Sequence, residues 1–205
     1  MNLTPLFEKQ RQHDQYIIEK KGLEGQELLP NKILALQVEL GELANEWRGF
    51  KHWSDSQEPK YGYEPLIECD KCGGKGFWFS GERIHCQKCK QTGKVTNPLL
   101  EEYVDCLHFI LSIGVDSGFD DDELEYVHEG NILVYKNLSG ILEQLNDLFQ
   151  SINEYRQSLN DSERYQDVVM TFISLGEMLG FSWEQIEEAY NEKWEENIRR
   201  QNAGY

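Results

Sequence analysis

Four cysteines constrain this chain more than any other feature. Cys69-x-x-Cys72 is followed, after thirteen residues, by Cys86-x-x-Cys89. Each C-x-x-C knuckle supplies two thiolates, and two such knuckles close a tetrahedral structural Zn²⁺ site, one ion per chain, with no open position for catalysis. Glycines at 73 and 76 suit tight knuckle turns, and the units CDKCGGKGF and CQKCKQTGKV are similar to those of DnaJ-type zinc modules and zinc ribbons. Disulfides are the alternative, but nothing points to export and the spacing favours metal. The fifth cysteine, Cys106, reads as a core residue.

The charge around these cysteines differs from that of the rest. From Lys60 to Val95 there are seven basic and four acidic residues, a balance of +3. The remainder carries 13 basic and 33 acidic residues, or −20, within a total of −17. Residues 57–96 therefore read as a zinc-binding insertion, and residues 1–56 and 97–205 as one acidic host domain.

The chain is long enough to bury a core, and its five Trp need burial. No apolar run approaches the roughly 20 residues of a membrane span. The start, MNLTPLFEKQ, lacks the basic and apolar regions of a signal peptide. Strong acidity argues against a protein that tracks nucleic-acid phosphates over its whole surface. The expectation is a cytoplasmic, globular protein with neither membrane nor nucleic acid as partner.

Helical spacing dominates the host. Thr4-Pro5 offers an N-cap and N1 proline for a first helix to about Lys20, broken by Gly22 and Gly25. Asn31 is a candidate cap for a second, with a seam of Ile33, Leu36, Leu40, Leu43 and Trp47. Asn97-Pro98 opens a third, with Leu100, Tyr103, Val104, Leu107, Ile110 and Gly114 inward. Ile141, Leu142, Leu145, Leu148, Phe149, Ile152 and Tyr155 mark a fourth. Val168 to Leu179 makes a fifth, and Ser182 with Gln185 forms a capping box for a sixth. Residues 126–137 read either as a short strand or as an irregular connection. The economical fold is an all-α helical bundle carrying the small insertion.

Acidic pairs recur beside these seams. Glu39 and Glu42 stand at i and i+3 in the second helix, and Glu102 and Asp105 repeat that spacing in the third. A single exposed pair is ordinarily a solvated face with a small repulsion. Two such faces meeting across a bundle concentrate charge that a divalent cation with a preference for hard oxygen ligands, Mg²⁺ or Mn²⁺, would neutralise. In the last helix Ile186, Tyr190, Lys193, Asn197 and Arg200 share a stripe that starts apolar and turns basic, a pattern suited to holding phosphate. Opposition to the helix macrodipole would also account for its positive end. In the first helix Phe7, Gln10, Asp14 and Ile17 share a face, so two polar residues interrupt the apolar seam. They read as a satisfied buried pair or as the wall of a pocket for a planar ligand.

Taken together, LFEKQRQHD, KILALQVELGELANEWRGFKHWS, LLEEYVDCLHFILSIG and LGFSWEQIEEAYNEKWEENIRRQNAGY resemble the dimeric, all-α dUTPases, which belong with the MazG-type nucleotide pyrophosphohydrolases. The resemblance spans the host and leaves out the cysteine insertion. It implies an all-α nucleotide-pyrophosphatase bundle acting as a homodimer. The implied activity is Mg²⁺-dependent hydrolysis of dUTP, and also of dUDP, with dUTP giving dUMP and pyrophosphate. Other or modified (deoxy)nucleotides are the runner-up substrates, and a non-enzymatic helical dimer with a zinc module that binds protein or nucleic acid is the alternative class. By resemblance, Glu39, Glu42, Glu102 and Asp105 hold two or more Mg²⁺ ions and Glu42 positions the attacking water. Lys193, Asn197 and Arg200 contact the phosphates, while Gln10 and Asp14, with Trp53 nearby, read the base. The 59 residues between the two acidic motifs exceed the family's usual interval, and the insertion accounts for the excess.

Overall fold

A computed structural model describes residues 2–119 and 140–204; the ambiguous stretch 126–137 lies outside them. Among the described residues six helices form the body: α1 (Thr4–Lys21), α2 (Leu29–Trp47), α3 (Pro98–Ser117), α4 (Ile141–Gln157), α5 (Ser162–Met178) and α6 (Trp183–Asn202). Four short strands lie in the cysteine segment between α2 and α3: β1 (Leu66–Glu68), β2 (Phe77–Ser80), β3 (Glu82–His85) and β4 (Lys94–Thr96). The architecture is all-α with a small β insertion.

α3 is the central helix. It packs most extensively on α2 and also meets α1, α5 and α6, while α4 and α5 form a hairpin that leans on α2 through α4. Twelve of the 20 residues of α3 are buried, which is what neighbours on several sides require. The seams read from spacing are the ones buried: Ile33, Leu36, Leu40, Leu43 and Trp47 on α2, and the full set from Leu100 to Gly114 on α3. Each fully buried Leu or Ile contributes about 1.5–3 kcal/mol relative to exposure. Gly114 is inward for a steric reason, since the Tyr165 hydroxyl lies 2.2 Å from where a Cβ would stand and donates to the Ile110 carbonyl.

Helix starts differ from expectation in three places. Thr4 is the first residue of α1, and Leu3 is the cap without any side-chain hydrogen bond. α2 begins at Leu29, two residues before Asn31, because Pro30 fits the first turn and buried Leu29 anchors it. α5 begins at Ser162, six residues before Val168, because Asp161 accepts from the amides of Glu163 and Arg164 well ahead of the apolar seam. In α4 the apolar stripe is wider than its contact, so Leu142 and Phe149 remain exposed while Leu145, Leu148, Ile152 and Tyr155 are buried. The Asn97 cap, the Ser182–Gln185 capping box and the Gly22 C-cap form as read.

Candidate active site

The α2–α3 contact brings acidic residues together. Carboxylate oxygens of Glu39 on α2 and of Glu102 and Asp105 on α3 all lie within 4.8 Å of one another. Burial, then the charges of Asp105 and Glu42, push Glu39 up to about 7. Burial, then Asp105, Glu42 and Glu39, push Glu102 up to about 8. Asp105 is raised as well, burial outweighing the pull of Lys193. Carboxyls that resist ionisation because they crowd one another form a donor set a divalent cation would suit, all oxygen and all hard. Glu42 lies outside this trio, exposed at the rim, and acts on it through its charge.

Lys193 of α6 faces the trio. Its ammonium donates to Asp105 at 2.6 Å and to Glu101 at 2.9 Å, and its side chain is only 11% exposed. From there a cleft of about 380 Å³ runs between α1, α2, α3 and α6, lined by Glu39, Asp105, Lys193, Asn197 and Arg200 at one end and by Gln10, Asp14, Lys32, His108 and Ser112 at the other. Arg200 also pairs with Glu196 one turn earlier on its own helix, at 2.6 Å.

The end of the cleft away from the acidic trio holds a polar network, from which His108 Nε2 is left without a hydrogen-bond partner among the described residues. Gln10 donates through Nε2 to Asp14 at 2.7 Å, so its Oε1 is the acceptor for the Tyr190 hydroxyl and for His108 Nδ1, each at 2.8 Å. That pairing fixes the proton of His108 on Nδ1. Burial, then the charges of His13 and Lys193, hold the His108 ring neutral by pushing it down to about 3. Asp14 accepts in addition from Ser112 at 2.5 Å and from Lys32 at 3.1 Å, and Lys32 also pairs with Asp116 at 2.7 Å. Gln10 and Asp14 are therefore heavily engaged with each other and with α2, α3 and α6.

Of the residues singled out from the sequence, Gln10, Asp14, Glu39, Asp105, Lys193, Asn197 and Arg200 line this one cleft, and Glu102 adjoins it through the trio. Trp53 does not line it; the indole is 67% exposed on the segment after α2, edge-on to Phe50 and His52. Lys32, His108 and Ser112 were not singled out from the sequence, nor were the pairings of Glu101 with Lys193 and of Tyr190 with Gln10. Ser112 and His108 follow Asp105 at helical spacing on α3, so that face was findable. Lys32 shows its role only once α2 and α1 are brought together.

The cysteines form a second centre. Cys69 Sγ lies 3.7 Å from Cys86 Sγ, and Cys72 Sγ lies 3.7 Å from Cys89 Sγ; all four sulfurs fall within 4.8 Å of one another and are buried. A ZnS₄ tetrahedron with Zn–S near 2.3 Å has edges of about 3.8 Å, so the spacing fits the ion, whereas a disulfide needs about 2.05 Å. The knuckles are near-copies. The amides of Gly76 and Gly93 donate to Cys72 and Cys89 Sγ at 3.2 and 3.3 Å. A Cβ on Gly76 would meet the Gln91 carbonyl, and one on Gly93 would meet the Gly74 carbonyl, so each knuckle requires glycine against the backbone of the other.

A family model described as dUTPase matches residues 2–67 and 87–205, leaving out 68–86, which lie within the cysteine segment. Comparison with curated proteins and with solved structures gives no match.

Proposed function

The chain belongs to the dUTPase family, and on that premise we propose that it is a Mg²⁺-dependent dUTP diphosphatase, releasing dUMP and pyrophosphate and accepting dUDP as a second substrate. The observation that carries this reading is the meeting of Glu39, Glu102 and Asp105 opposite Lys193, at one end of a cleft of about 380 Å³. Glu39, Glu42, Glu102 and Asp105 are assigned as the Mg²⁺ ligands. Bound there, Mg²⁺ would neutralise phosphate charge and lower the pKa of water, the chemistry phosphoanhydride hydrolysis needs.

The chain's own residues have separable roles in this reading. Lys193, Asn197 and Arg200 contact the phosphates. Glu42, exposed beside the trio, takes the proton of the attacking water. Gln10 and Asp14 order the base end, with His108, Tyr190, Ser112 and Lys32 holding them rigid. Trp53 comes to the base only if the segment after α2 moves. The cysteine cluster holds one structural Zn²⁺, and because among the described residues only Trp78 and Val95 are partly buried apolar side chains packed against it, the ion supplies much of the insertion's folding energy. A homodimer is supported by Leu34 and Val38, exposed at 62% and 50% one turn apart on α2.

The test is a nucleotide panel with Mg²⁺. Pyrophosphate is expected from dUTP in preference to dTTP, dCTP and UTP. Preference for another deoxynucleotide would reassign the substrate, and no turnover of any nucleotide across several metals would remove the enzyme reading.

A further inference from the structure

The zinc insertion and the acidic centre are joined by one side chain. Asn97 is 1% exposed and all of its polar groups are used. Its Oδ1 accepts from the Leu99 amide at 3.1 Å, capping α3. Its Nδ2 donates to the carbonyls of Gly62 at 3.0 Å and Glu64 at 2.7 Å, and its amide donates to the Pro65 carbonyl at 2.9 Å. Asn97 thus ties the first turn of α3 to the chain segment that leads into the insertion.

Above Asn97 stands a two-stranded stalk. β1 and β4 pair antiparallel, Leu66 with Thr96, Ile67 with Val95 and Glu68 with Lys94. The next residue, Cys69, donates its amide to the Gly93 carbonyl at 2.9 Å. The cysteine cluster therefore begins where the ladder ends, and Asn97 sits at the base of the same ladder. Beyond it, within two turns of α3, come Glu101, Glu102 and Asp105. An isolated two-stranded ladder of three residue pairs is not stable alone in water, so the cluster must hold the stalk shut. The contacts of the insertion with α6 are exposed, Lys90 to Glu195 at 3.4 Å and Thr96 Oγ1 to Glu192 at 3.3 Å, while in the lead-in segment Tyr63 is hydrogen-bonded to Trp47 at the end of α2. Exposed pairs of that kind contribute little.

We propose that the tetrathiolate site, acting through the stalk and Asn97, positions Glu101, Glu102 and Asp105. Asn97 is then a positioning residue for the reaction, and the insertion is a clamp on α3. This rests on the reading of the acidic centre as the Mg²⁺ site, but one arm of its test does not.

That arm is hydrogen exchange of the full-length, nucleotide-free protein, zinc-loaded and after zinc removal with a thiol-directed mercurial. Loss of zinc should raise exchange at the amides from Leu99 to Tyr103 while α4 and α5 keep their protection. Unchanged exchange at the start of α3, or loss spread equally over α4 and α5, would overturn the clamp. The second arm compares Asn97→Asp, which keeps the capping oxygen but cannot donate to Gly62 and Glu64, with Asn97→Ala. Both should raise the Mg²⁺ concentration for half-maximal dUTP turnover about fivefold or more, with kcat at saturating Mg²⁺ largely kept. Full recovery in Asn97→Asp would reduce Asn97 to an ordinary cap and overturn the proposal. An inactive wild-type protein would count against the dUTPase reading, and the exchange arm would still decide the clamp.

Discussion

The helical body and the cysteine insertion solve the same problem with opposite chemistry. The body, residues 1–56 and 97–205 at −19, buries a continuous core running from Leu3 to Tyr190. The insertion, residues 57–96 at +2, has four sulfurs at its centre and exposes Phe79 at 73%. Apolar area can stabilise the first; the second is too small to bury enough of it and depends on a cross-link. The acidic centre belongs to neither scheme. Its carboxyls are held close against their own repulsion, which a core built only for stability would avoid.

Breaking each region should therefore look different. The largest effect is expected at the acidic centre. Glu42→Gln should lower dUTP turnover by about a thousandfold or more with an unchanged melting temperature; near-normal kcat would mean that Glu42 has no part in the chemistry. Next comes the core, where Leu40 is fully buried. Leu40→Ala should cost about 2–5 kcal/mol, read by urea denaturation. The double change Cys86→Ser with Cys89→Ser should abolish the one Zn²⁺ seen by native mass spectrometry. It should shift the melting of the body by less than Leu40→Ala does. A collapse of the whole chain would erase the distinction between the two regions.

The smallest effect is on pH dependence, and its sign divides the groups. His108 is held near 3 when folded, against an ordinary 6.5. The unfolded chain therefore takes up more protons, and stability is lost as pH falls from 6.5 toward 3. Glu39 and Glu102 are raised to about 7 and 8 from 4.5. Stability is fully present below 4.5 and is lost as pH rises through those values. Two raised carboxyls outweigh one histidine above pH 4.5, so metal-free protein should melt highest at about pH 4.5, and added Mg²⁺ should raise the melting temperature at pH 8 far more than at pH 5. An equal gain at both would detach these carboxyls from metal binding.

Legibility followed the range of the interaction. The helices among the described residues, their seams, the Asn97 cap and the cysteine cluster rest on spacings within one segment, and all were readable. Three helix starts were not, because Pro30 and Asp161 act a turn away from the apolar pattern used to place them. Leu142 and Phe149 match the pattern of a core helix, but width of stripe does not reveal how much of it a neighbour covers. At the candidate site the acidic pairs and the α6 stripe were visible as periodicity. The pairings of Glu101 with Lys193 on α6 and of Lys32 with Asp14 on α1 were not, since each joins two helices. Trp53 was placed by resemblance alone, and the segment after α2 carries it outside the cleft.

The most direct test of the central claim is pyrophosphate release from dUTP as Mg²⁺ is titrated, with wild type and Glu102→Gln measured side by side. Saturable Mg²⁺ dependence is expected in the wild type. Loss of turnover is expected in the variant at every Mg²⁺ concentration, with metal-free stability at pH 8 equal to or above that of the wild type. Turnover that ignores Mg²⁺, or a Glu102→Gln variant as active as the wild type, would contradict that claim.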